Sequence, residues 1–219
     1  MPEFTLIQQI CIWALPVILA ITLHEAAHAY VANYFGDTTA KMFGRLSLNP
    51  IRHVDPVGTI IMPLVIGALT QFSFLFGYAK PVPINGRQLR NPRRDMMLVA
   101  LAGPLSNFLM AFFWAGCFKV ATLLHPQSSM AALFLLATGR AGMVINLVLA
   151  VLNLIPIPPL DGSRVVSMLL PYKQERLYAQ IEPYGFLILI ILMLTGVLGF
   201  ILTPLIQYSL ALLTAIYGL

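Results

Sequence analysis

The segment His24-Glu25-Ala26-Ala27-His28 sets two imidazoles four residues apart, with a carboxylate directly after the first. On an α-helix, positions i and i+4 share a face. Two imidazoles on one face can bind a single divalent ion such as Zn²⁺, and the adjacent glutamate can accept a proton from water beside that ion. Only 4 histidines occur in the chain, and two of them fall here with an acid where this chemistry needs one. The alternative is a polar cluster paired for structural reasons. The apolar setting weighs against it, because ionisable side chains within an apolar helix are costly and mark functional sites.

Of the 219 residues, 59% are hydrophobic and 10% are charged, and the mean hydropathy is +0.85. A soluble domain is about 45–50% apolar and about 25% charged, so lipid is the solvent implied. A bilayer core is roughly 30 Å thick and takes about 20 apolar residues per helical span. The expected architecture is an all-α membrane protein, a polytopic helical bundle with about 5–6 membrane segments. The chain reads as one integral-membrane domain over 1–219, with no room for a separate soluble domain. Its net charge of +5 resides in short loops between apolar runs and reads as a topology signal. No basic string is interleaved with aromatics, which excludes nucleic acid as a partner. Cys11 and Cys117 lie in apolar runs without Cys-x-x-Cys spacing and read as buried small side chains. Met1-Pro2-Glu3-Phe4 has no basic n-region, so no cleaved signal peptide is expected.

The histidine pair lies in a first apolar run, 6–35. Polar residues 37–55 follow, with Lys41, Arg45 and Arg52. A second run, 56–76, contains Gly58, Pro63 and Gly67, and the stretch after it carries Lys80, Arg87, Arg90, Arg93 and Arg94. Basic loops on both sides prefer the cytoplasm, and one crossing cannot put both there. The region around 56–85 is therefore expected to re-enter the membrane, partly as β-strand, where non-helical backbone must be buried in protein or line a wet cavity. Runs three and four cover 95–124 and 130–155, joined by a loop without Lys or Arg. Residues 161–182 carry Arg164, Lys173 and Arg176, and 183–219 carry no charge. That last stretch is expected to form two spans broken near Thr203-Pro204. The charge distribution places the N-terminus outside and the end of run one inside. His24 lies about 27 Å of helix rise beyond Leu6, so the histidine cluster is expected toward the cytoplasmic side.

Catalytic zinc usually has three protein ligands and an open position. His53, Asp37, Asp55 and Glu182 remain open as the third by charge alone, while His125 falls on the opposite side. Asp161 is favoured. It follows Asn153-Leu154-Ile155-Pro156-Ile157-Pro158-Pro159-Leu160 and precedes Gly162. The prolines cannot continue a helix, so a carboxylate is held at the inner end of run four. The competing role for Asp161 is N-cap of a helix at 163–170. Gly103 and Asn107, one turn apart, read first as close helix packing and an interhelical hydrogen bond.

Three stretches together resemble the site-2 protease family of intramembrane zinc metalloproteases: His24-Glu25-Ala26-Ala27-His28, Ala102-Gly103-Pro104-Leu105-Ser106-Asn107, and Asn153 through Gly162. Asp55-Pro56-Val57-Gly58-Thr59 and Phe76-Gly77-Tyr78-Ala79-Lys80-Pro81-Val82-Pro83 resemble a short bacterial and archaeal branch without a PDZ domain. The resemblance implies zinc held by His24, His28 and Asp161, with Glu25 as general base and acid. It also implies that Asn153 helps hold the substrate or the developing oxyanion. It further implies a multi-pass protein of the cell membrane, with a membrane-associated sheet edge that pairs with an unwound segment of a single-span membrane-protein substrate. Two rivals stand beside this reading. A metal-ion transporter would need ligands but no base between them, and a catalytically silent membrane scaffold would not need His24, Glu25, His28 and Asp161 all intact.

Overall fold

The computed structural model describes residues 4–53, 55, 58, 61, 80–125 and 129–219. The re-entrant or β-stranded region expected around 56–85 lies mostly outside these. Its described end, 80–85, runs without regular secondary structure. No strand occurs among the described residues, and the fold is an all-α membrane bundle.

Helix α1, Leu6–Tyr34, opens with a capping box. The Thr5 hydroxyl accepts from the Gln8 N–H, and the Gln8 side chain accepts from the Thr5 N–H at 2.9 Å. That box satisfies two otherwise orphan donors and accounts for a glutamine in an apolar run. A short helix α2, Thr39–Met42, follows. Two long helices then pack tightly together, α3, Pro92–Leu123, and α4, Met130–Asn153. α1 lies against both. The proline-rich turn after α4 leads into α5, Asp161–Leu169, which packs on α3. Helices α6, Tyr172–Ala179, and α7, Gly185–Leu194, come next, and α8, Val197–Tyr217, returns against α4.

Among the described residues, five stretches are long and apolar enough to cross a membrane: Ile7–Tyr34, Pro92–Leu123, Met130–Asn153, Tyr172–Leu194 and Val197–Tyr217. The fourth is bent, because a turn at Glu182–Tyr184 separates α6 from α7. The last break falls at Thr195-Gly196, not near Thr203-Pro204 as expected. Gly196 adopts a left-handed φ of 76°, which ends the turn at no steric cost. Pro204 instead sits exposed within α8, a position tolerated in membrane helices.

The buried positions of α1, α3 and α4 are dominated by small residues, among them Ala20, Ala29, Ala100, Gly103, Ala111, Gly139 and Gly142. Large apolar side chains such as Trp13, Leu105, Leu109, Phe113 and Phe200 are exposed. This inverts the pattern of a soluble core, because lipid gives apolar side chains no reason to hide and helices associate through close contact of small residues. Arg140 is also exposed on α4, as snorkelling requires.

At Gly139, α4 comes directly against the main chain of α3, where an added Cβ would meet the Phe118 main-chain nitrogen at 2.9 Å. Gly139→Leu is expected to lower resistance to detergent unfolding by about 1–3 kcal/mol, the usual cost of overpacking. Gly199 has nothing within 4 Å of an added Cβ, so Gly199→Leu should change stability by no more than about 0.5 kcal/mol. Unfolding titrations in mixed micelles check both.

Candidate metal centre

His24 and His28 face α3 from one side of α1 and are only 8% and 5% exposed. Asp161, the first residue of α5, is 9% exposed. The Nε2 atoms of the two histidines lie 3.1 Å apart. Asp161 Oδ2 lies 3.1 Å from His24 Nε2 and 3.3 Å from His28 Nε2. Among the described residues, this is the one group of three or more His, Cys, Asp or Glu side chains able to converge on an ion.

The surroundings fix which atoms carry protons. His28 Nδ1 is 2.7 Å from the Val99 carbonyl oxygen. A carbonyl only accepts, so Nδ1–H donates and Nε2 keeps its lone pair. His24 Nδ1–H donates to Asn107 Oδ1 at 2.6 Å, and Asn107 Nδ2 donates to the Ala20 carbonyl at 3.2 Å. His24 Nε2 therefore also presents a lone pair. Asp161 Oδ2 is buried with no hydrogen-bond donor of its own.

Three mutually facing acceptors at this spacing repel one another unless a cation lies between them. Tetrahedral coordination at bond lengths of about 2.0–2.1 Å sets donor atoms roughly 3.3 Å apart, close to the three separations observed. Gly103 supplies the room. A Cβ there would stand 2.6 Å from His24 Nε2 and closer still to His28 Nε2. Two imidazoles and a carboxylate around a glycine-lined space fit a zinc ion with an open position.

Local sequence explains how Asp161 arrives there. The chain leaves α4 through Pro156-Ile157-Pro158-Pro159, with the Pro158–Pro159 bond cis. Gly162 lets the start of α5 press onto the Leu154 carbonyl, and Gly185 admits the Pro158 carbonyl, contacts that a Cβ would block in both places. The Tyr178 hydroxyl donates to the Pro156 carbonyl at 2.7 Å, and the Arg93 guanidinium on α3 donates to the Leu170 carbonyl just past α5. The N-cap of α5 is Leu160, and no side chain caps this end. The capping role considered for Asp161 is therefore excluded.

Glu25, next to His24, is half-buried, and its Oε2 accepts from the Val82 N–H at 2.9 Å. Pro81 and Pro83 have no N–H, so Val82 supplies the only main-chain donor of that tripeptide. Arg45 anchors the same segment by donating to the Lys80 carbonyl at 3.0 Å, and Lys80 N–H donates to the His53 carbonyl at 3.1 Å. The other acids and histidines considered for the third ligand have different partners. Asp37 accepts from the N–H groups of Thr39 and Asn85, Asp55 accepts from Gly58, and His53 Nε2 donates to the Ser47 carbonyl. Glu182 and His125 are exposed. Asn153 is the last residue of α4, and its Nδ2 donates to the Leu149 carbonyl at 3.0 Å.

Gly103 and Asn107 do pack, as their spacing suggests, but what they pack against are the imidazoles. Their separation on one helix face was visible in the sequence, whereas the partner was not. The Val99 carbonyl and Val82 N–H act through the main chain and leave no mark in residue type.

A helical membrane protein whose His-Glu-x-x-His pair meets a distant aspartate at one buried point defines a membrane metallopeptidase. Residues 114–196 match the model of peptidase family M50. The chain is 41% identical over 196 residues to YwhC of Bacillus subtilis (strain 168), covering 87% of this chain and 84% of that one. It is 30% identical over 184 residues to Rip2 of Mycolicibacterium smegmatis, covering 83% of this chain and 66% of Rip2. Both relatives carry the name of a zinc metalloprotease. No solved structure gives a significant match. The chain belongs to peptidase family M50, the site-2 protease family, and is a metalloprotease.

Gly103→Ala should push the imidazoles out of register and reduce divalent-metal affinity at least as much as loss of an outer hydrogen-bond partner does, about 10–100-fold. Metal content after dialysis against a chelator series measures the loss.

Proposed function

We propose that this chain is an intramembrane zinc metalloprotease that hydrolyses a peptide bond within or near the transmembrane segment of a single-span membrane protein. The observation carrying the proposal is the convergence of His24 Nε2, His28 Nε2 and Asp161 Oδ2 at 3.1–3.3 Å, with Glu25 next along the helix. In this reading His24, His28 and Asp161 hold the zinc. When bound, zinc supplies Lewis-acid polarisation of a carbonyl and acidifies water.

The chain's own residues do the rest. Glu25 takes a proton from the attacking water and passes it to the leaving amine. The Val82 N–H holds one carboxylate oxygen at 2.9 Å, which limits the orientations of the other. Asn153 contributes an amide donor toward the substrate or its developing oxyanion. Leu149 uses one of its hydrogens, and an amide nitrogen has two. A helical peptide bond is shielded by its own hydrogen bonds, so the substrate must be unwound before attack, and strand-like pairing is the economical way to hold it. Basic residues flanking the end of α1 support placing the site toward the cytoplasmic side of the cell membrane.

Glu25→Gln keeps the shape and a hydrogen-bonding oxygen but cannot accept the proton. It should retain zinc at the wild-type stoichiometry while cleavage of a co-expressed single-span substrate falls by about 10²–10⁴-fold, the usual contribution of general acid–base catalysis. Wild-type cleavage by this variant would sink the assigned mechanism.

A further inference from the structure

Asn146 on α4 is fully buried, 0% exposed, at membrane depth. Its Nδ2 donates to the Gly142 carbonyl at 2.9 Å, and its Oδ1 accepts from Asn107 Nδ2 at 3.0 Å. The Gly142 carbonyl can only accept, so it dictates which way the Asn146 amide faces. That leaves Oδ1 as the atom offered to Asn107. Asn107 must then turn its nitrogen to Asn146 and its oxygen to His24 Nδ1, 2.6 Å away. Each amide has one orientation that satisfies its neighbour, and a main-chain carbonyl terminates the series.

We propose that Asn146 is a positioning residue for His24, acting through Asn107 to keep the proton on Nδ1 and the lone pair on Nε2. This rests on the reading of His24 as a zinc ligand. The Ala20 carbonyl also receives Asn107 Nδ2, at 3.2 Å, but it lies on α1 together with His24. Asn146 adds the tie to α4, the helix whose C-terminal turn delivers Asp161. Without an acceptor at 146, only the Ala20 carbonyl opposes reversal of the Asn107 amide, and a reversed amide donates to His24 Nδ1. The ring proton then moves to Nε2, where it blocks the metal.

The test uses the full-length protein in micelles, with zinc affinity measured by competition against a chromogenic chelator. Asn146→Leu keeps the volume and removes the acceptor, and should weaken zinc binding about 10–100-fold. Asn146→Asp should bind within a few-fold of wild type. A carboxyl buried among apolar helices stays neutral, so it donates to Gly142 and accepts from Asn107 as the amide does. Wild-type affinity in the Leu variant, or an Asp variant as weak as the Leu variant, would overturn the proposal. Ring ¹⁵N shifts of the zinc-loaded wild type provide a variant-free check. A proton on Nδ1 of His24 with Nε2 ligated supports the proposal, and ligation through Nδ1 overturns it. A wild-type protein that takes up no zinc would instead overturn the metal reading beneath it.

Discussion

Three acceptor atoms, two imidazole nitrogens and a carboxylate oxygen, are held within 3.1–3.3 Å of one another at a buried point. Left alone, that arrangement is repulsive, and the side chains would swing apart. Everything around it prevents this. The Val99 carbonyl and Asn107 hold the Nδ1 edges of the rings, Gly103 keeps the space between helices open, and the Pro156–Pro159 turn with Gly162 fixes the aspartate. The protein holds an arrangement that is favourable only around a cation.

The polar bonds that orient this site are not what holds the helices together. Interhelical hydrogen bonds in membranes average about 0.6 kcal/mol, because the alternative state also finds partners. Asn107 and Asn146 therefore add little to association, while close packing through Ala20, Ala111, Gly139 and Gly142 brings the helices within reach of one another. The asparagines decide direction. Amides with a defined donor end and acceptor end carry information from a main-chain carbonyl to an imidazole, which apolar packing cannot do.

The proposed base is arranged differently from the proposed ligands. Both histidines and Asp161 are buried, whereas Glu25 is half-buried and tied by one main-chain N–H from a segment between two prolines. A group that must meet water and exchange protons cannot be sealed as tightly as a ligand. The Val82 segment in turn depends on Arg45 and on the His53 carbonyl, so Arg45, which reads as a topology signal, also fastens the loop that reaches Glu25.

Several features were legible in the sequence because they are local. Hydropathy and length specified α1, α3 and α4, whose bounds shifted by only a few residues, whereas the span that begins at Tyr172 was read from 183. The i, i+4 spacing put His24 and His28 on one face, and the prolines ended α4 near the observed Asn153. The break at Gly196 was misplaced to Pro204 because a lipid-facing proline does not end a membrane helix, while a glycine at positive φ does. The rest required tertiary contact. In isolation Asp161 resembled a helix cap, Gly103 a packing residue and Asn107 an interhelical bond, and Asn146 carried no signal. Periodicity states which residues share a face but not which face it meets. The packing of α1, α3 and α4 decided that these faces meet around one point, and so turned an aspartate, a glycine and two asparagines into parts of one centre.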